Sequence, residues 1–204
     1  MPDKKERRFL KVQELRVKEE GEKMTLTGYA AVFDSLSEDL GGFREKIDQG
    51  AFKSALKKSD CRALFNHDSN FVLGRQSAKT LRLKEDKTGL MMECDLPDTQ
   101  FAKDLMVSVN RGDITQQSFG FTVKVDEWEE DRSTGKTTRT LKEIDELFDV
   151  SPVTFPAYPD TTVAKRSLDQ FKTSEIRGKE DAEISIDSEY EKVLLTTIET
   201  ERGF

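Results

Sequence analysis

The stretch ITQQSFGFTVKVDEW, residues 114–128, decides the class of fold. Its apolar side chains recur at every second position, the period of a strand. Alternation puts Gln117, Phe119, Phe121, Val123 and Val125 on one face, and Gln116, Ser118, Gly120, Thr122 and Lys124 on the other. The first face reads as core. The second is polar and holds a hydroxyl with a glycine two residues on. That glycine removes bulk beside the serine, so a ligand backbone could approach closely. Ser118 then points away from the core on a rigid strand, a sound position for a nucleophile.

A second long strand is expected over 137–150, joined to the first by a turn of composition DRSTGK at 131–136. Upstream, residues 9–17 and 24–33 read as a hairpin around Gly21, and FREKI (43–47) as a brief strand. Asp48 is an N-cap candidate for a helix in GAFKSALKK, where Phe52 and Leu56 share a face. CRALFNH (61–67) reads as a short strand ending at His67. Residues 81–83 and 89–96 form another hairpin pattern. A helix is expected over 99–110, capped by Asp98 and stopped by Arg111-Gly112-Asp113. The three prolines of SPVTFPAYPD (151–160) argue against a central strand there. The sum is at least six strands and two or three short helices, class α+β: an antiparallel β-barrel or rolled sheet carrying helices.

The chain has 204 residues, 33 Lys+Arg against 40 Asp+Glu, and a formal net charge of −7. That balance excludes nucleic acid as the main partner, since phosphate binding needs a concentrated basic face. No apolar run approaches the roughly 20 residues that cross a bilayer, and the MPDKKERRFL start has no signal-like apolar region. No membrane is expected, and a cytoplasmic setting keeps Cys61 and Cys94 reduced. Length supports one cored domain over 9–165. Residues 1–8 read as a flexible segment and 166–204 as a charged tail, helical or disordered.

The chain contains one histidine, His67. HExxH helices and His-cluster metal sites are therefore excluded, and no metal or organic cofactor is expected. A neutral imidazole takes a hydroxyl proton at neutral pH, so Ser118 and His67 form a candidate nucleophile and base. Their bland readings are a solvated strand serine and a surface or capping histidine. Such a base wants a partner that holds its tautomer. Asp149 lies at the end of the strand expected to pair with that of Ser118. Asp68 is the adjacent alternative, although its side chain should leave the opposite face.

In chain order, the residues that carry a resemblance are Gly28-Tyr29-Ala30-Ala31-Val32-Phe33 and Gly50-Ala51-Phe52. Next come Leu64-Phe65-Asn66-His67-Asp68 with Leu73-Gly74-Arg75, then Arg111-Gly112-Asp113-Ile114 before Ser118-Phe119-Gly120-Phe121. Asp149-Val150-Ser151-Pro152-Val153-Thr154, with Pro156-Ala157-Tyr158-Pro159, closes the set. With these pieces in this order, the chain resembles the HK97-like prohead proteases of tailed bacteriophages. The family is similar in fold to the herpesvirus capsid-assembly protease, a β-barrel ringed by helices with its site on the outer surface.

The resemblance implies Ser118 as nucleophile, His67 as general base and an acidic third member at Asp149, where the family more often has Glu. It implies a serine endopeptidase that cuts the scaffolding segment of the major capsid protein precursor. Cleavage takes place inside the assembling prohead in the bacterial host cytoplasm. It also implies self-cleavage, which would suit the tail, and a dimer as a possible partner state. The 151–160 loop is the expected source of oxyanion donors. Two other readings stay open at this point: a non-catalytic capsid-assembly or scaffold-binding module on the same fold, and a hydrolase built on Cys61.

Overall fold

The computed structural model describes residues 5–10, 15–21, 23–155 and 166–174. The chain divides into units 1–164 and 165–204. In the second unit the described residues, 166–174, are helical, and the remainder of the expected tail lies outside the described residues.

In the first unit the strands in chain order are β1 (Glu6–Leu10), β2 (Arg16–Glu20), β3 (Lys23–Val32) and β4 (Phe43–Ile47). After a short helix α1 (Ala55–Lys58) come β5 (Arg62–Phe65), β6 (Asp68–Arg75), β7 (Leu81–Glu85) and β8 (Gly89–Asp95). Helix α2 (Gln100–Arg111) leads into the long pair β9 (Gln116–Asp131) and β10 (Lys136–Val153). The β9–β10 turn closes because Asp131 accepts from the Ser133 amide at 2.9 Å and the Gly135 amide reaches the Asp131 carbonyl at 2.7 Å.

Two sheets result. One runs β1-β9-β10-β5-β6 with β4 also on β10, and the other runs β2-β3-β8-β7. The α+β, strand-rich class is as expected. The closed antiparallel barrel is not: the first sheet is a curled half-barrel that ends, among the described residues, at β1 and β6, and β10 takes both β4 and β5 in parallel. Alternation along one strand carries no information on the direction of its neighbours. Four register irregularities between Leu141 and Asp149 help to curl β10, because bulges add local twist.

The core lies where Phe33, Phe52, Phe119 and Phe121 meet Leu26, Leu90 and Met92 of the second sheet. Phe119 stacks on Phe121 at 4.8 Å and meets Phe52 edge-on at 5.6 Å. Each such fully buried ring contributes about 1.5–3 kcal/mol.

Several local expectations change. Residues 6–8 are not loose but belong to β1, which pairs with β9. Asp48 caps no helix; it pairs with Lys142 at 2.7 Å, and α1 starts only at Ala55. For α2 the N-cap position is Thr99, while Asp98 pairs with Lys103 at 2.6 Å. Pro152 sits inside β10 opposite Gln117. It is tolerated because its carbonyl, on the same side as the missing N–H, faces the β5–β6 turn and accepts from Asn66 at 3.0 Å.

Candidate active site

His67 stands in a two-residue turn between β5 and β6, with Phe65 paired to Asp68 across it. Asn66 and His67 are both left-handed, at φ 54° and 57°. This is the backbone of a type I′ hairpin, where Asn-Gly is the usual pair. A histidine there carries strain of order 1 kcal/mol or more, a feature typical of functional turns. Asn66 offsets it with a clamp on the end of β10. Its amide N–H donates to the Pro152 carbonyl at 3.0 Å, its Nδ2 donates to Thr154 Oγ1 at 3.2 Å, and its Oδ1 accepts from the Thr154 amide at 2.9 Å.

The clamp swings the imidazole over the β9–β10 pair. In that register Ser151 lies opposite Ser118, and Asp149 opposite Gly120. Ser118 Oγ is 2.7 Å from His67 Nε2, and His67 Nδ1 donates to Asp149 Oδ1. Ser151 Oγ donates to the same Oδ1 at 2.8 Å, and the Lys5 ammonium is 3.7 Å from Oδ2. Burial works against the Asp149 charge, but the His67 ring, the Ser151 hydroxyl and the Lys5 ammonium outweigh it and hold the carboxyl below its ordinary range. Gly120 makes room for this carboxylate rather than for the serine. A Cβ on Gly120 would lie 2.7 Å from Asp149 Oδ2.

Of the expected site residues, the structure brings Ser118, His67 and Asp149 together. Asp68 turns elsewhere: its Oδ1 accepts from the Asn70 amide at 2.8 Å and Asn70 Nδ2 at 2.9 Å. Cys61 is buried, and that burial, with the Asp149 charge, pushes its thiol well above the usual range, so a thiolate nucleophile is disfavoured. The outward face expected for Ser118 is not found. The serine is 0% exposed, because β1 lies against β9 and the His67 turn sits above it. Sequence reasoning missed Ser151 and Asn66. The signal for both was register, with Ser151 two residues beyond Asp149 on the same face and Asn66 filling a turn position that demands φ > 0. Of the loop expected to supply oxyanion donors, Ser151–Val153 are strand and 156–160 lie outside the described residues.

The Asn66 clamp has a measurable consequence. With His67 read as the base, Asn66→Ala and Asn66→Gly are each expected to lower kcat about 10²-fold with KM little changed, since small misplacements of a base cost that much. Full activity in Asn66→Gly would mean that the turn geometry suffices without the clamp.

A model of the caudovirus prohead serine protease family matches residues 11–174 of this chain. The chain belongs to that family. It is a serine protease of phage capsid maturation. The prohead protease of Enterobacteria phage HK97 is 30% identical to it over 165 residues, covering 78% of this chain and 68% of that relative. Among solved structures, the bacteriophage T4 capsid assembly protease matches with a TM-score of 0.50 and 8% identity. That match covers 76% of this chain and 100% of the other, and the likeness is one of fold. The segment matched by the prohead protease family contains Ser118, His67 and Asp149, while β1 precedes it.

Proposed function

We propose that this prohead protease cuts the scaffolding segment of the phage major capsid protein precursor through a Ser118–His67–Asp149 relay. The observation that carries this reading is the continuous chain of hydrogen bonds from Ser118 Oγ through both ring nitrogens of His67 to Asp149. His67 takes the Ser118 proton as the hydroxyl attacks the scissile carbonyl, forming the acyl-enzyme and a tetrahedral intermediate on the way. Asp149 stabilises the imidazolium and holds the tautomer. His67 then protonates the leaving amine and activates the water that frees Ser118. Ser151 and Asn66 are positioning residues, one for the carboxylate and one for the ring. Segments of the protease itself form a second substrate class under the same chemistry.

Incubation with the cognate capsid precursor tests the reading. The precursor is expected to shorten, and a serine-directed fluorophosphonate is expected to stop the reaction with its adduct mapped to Ser118. A precursor left whole by a chain whose Ser118 takes the label would overturn the substrate, and an adduct on another residue would overturn the nucleophile.

A further inference from the structure

The edge of β9 that carries Ser118 is already occupied. β1 pairs antiparallel along it, with Phe9 opposite Ser118 and Arg8 opposite Phe119. Ser118 Oγ lies 2.9 Å from the Arg8 carbonyl oxygen and within donating reach of it. A hydroxyl has one proton, and His67 Nε2, 2.7 Å away, needs the same one. A proton given to the Arg8 carbonyl is withheld from the base. With the serine 0% exposed, no scissile carbonyl reaches it while the main chain of β1 is in place.

We propose that β1 is a self-blocking strand seated where the substrate pairs as an extended segment on β9, and that the protease opens when β1 leaves. The proposal rests on Ser118 being the nucleophile. The other edge of β9 is taken by β10, so the β1 side is the edge to which a substrate strand could add.

Alternation along β1 leaves Lys5 and Arg7 exposed and buries Glu6 and Arg8, each 6% exposed. The buried pair latches the strand. Arg8 forks onto Glu45 of β4 at 2.7 and 3.1 Å and reaches Glu6 at 2.5 Å. Arg139 of β10 reaches Glu6 at 3.0 Å and Glu45 at 3.1 Å. Burial opposes ionisation of Glu6, but the two guanidiniums outweigh it and keep the carboxyl below its ordinary range.

Buried ion pairs add little net stability relative to packed apolar groups, yet orphaning one partner is costly. This network avoids that cost on opening. When Glu6 and Arg8 depart together, Glu45 and Arg139 still hold each other at 3.1 Å, and Arg139 keeps Asp126 at 2.6 Å. A substrate strand in the same register meets the same pair. A basic side chain on the residue whose carbonyl faces Ser118 falls beside Glu45, and an acidic one two residues earlier beside Arg139. The favoured substrate is therefore an extended segment with an acidic–any–basic pattern before the cut.

The test compares fluorophosphonate labelling of Ser118 in the wild-type chain, a Glu6→Ala/Arg8→Ala double variant and Glu45→Gln, with thermal melts to verify folding. Both variants are expected to label at Ser118 at least tenfold faster than wild type. Equal rates in all three overturn the block. If the double variant does not fold, the near-isosteric Glu45→Gln carries the comparison. Deuterium uptake of the wild-type chain gives a variant-free reading: residues 6–10 must exchange faster than the β9–β10 pair, and equal protection overturns the proposal. A label on another residue, or none at Ser118 in any variant, removes the nucleophile reading and the block with it. The opened double variant is further expected to cut a Glu-x-Arg peptide at least tenfold faster than its Arg-x-Glu counterpart. Equal cutting removes the subsite assignment alone.

Discussion

His67→Ala is expected to lower the rate of precursor processing by a factor on the order of 10⁶, the scale on which serine proteases lose kcat with their base. The size follows from scarcity. The chain holds a single imidazole, and among the described residues the other group bonded to Ser118 Oγ is the Arg8 carbonyl, which accepts a proton only as a hydrogen bond. Ser118→Ala should cost about as much, and the double variant no more than either single one, as expected for residues that act as a unit in the proposed relay. Turn geometry needs its own control. His67 sits at φ 57°, where alanine is strained and glycine is not, so His67→Gly separates loss of the ring from distortion of the hairpin. Both variants should be inactive, with the glycine protein the more stable in thermal melts. The measurement is a time course of precursor shortening on a gel. Processing by His67→Gly within tenfold of wild type would show that the imidazole is not the base.

Strand alternation marks β9 and β10, and with them Ser118 on one strand and Asp149 near the end of its expected partner, because period-two patterning is written locally. Register and coverage are not local. The β5–β6 hairpin is hidden because Asn66-His67 lacks the glycine that usually marks such a turn, so β6 carries no local signal and His67 reads as a strand end. The polar face around Ser118 looked outward because the element that covers it is β1, whose charged residues, Glu6 and Arg8, signal solvent when read alone. They are buried because Glu45 and Arg139, 37 and 133 residues away from them in sequence, complete the network. Gly120 reads in the sequence as a place where bulk is removed, but its beneficiary is the carboxylate across the strand pair, which only the register reveals. The choice of Asp149 over Asp68 turned on the same fact. Pairing brings residue 149 beside Ser118, whereas sequence adjacency leaves Asp68 turned towards Asn70.

Asp149→Asn is expected to reduce processing by about 10⁴-fold, since the side chain keeps its shape but loses the charge that stabilises the imidazolium. Asp149→Ala should lose at least as much. Asp149→Glu keeps the charge but must fit one more methylene between the Gly120 main chain and the ring, so an intermediate loss of about 10–10²-fold is expected. Near-normal rates in Asp149→Ala would transfer the role to another group. The carboxylate also leaves a mark on acid stability. Its folded pKa lies below the ordinary 3.8, so its contribution is complete above about pH 4 and is lost as the pH falls through the folded value. Thermal melts at pH 7 and pH 3 should therefore show wild type more stable than Asp149→Asn at pH 7, with the gap narrowing at pH 3. A gap that stays constant would mean that folding does not shift the carboxyl, and one that moves in favour of wild type at pH 3 would mean that the buried carboxyl is already neutral at pH 7. A neutral acid in that place could hold the ring but could not balance an imidazolium, so this melt reports on the same charge that the kinetics require.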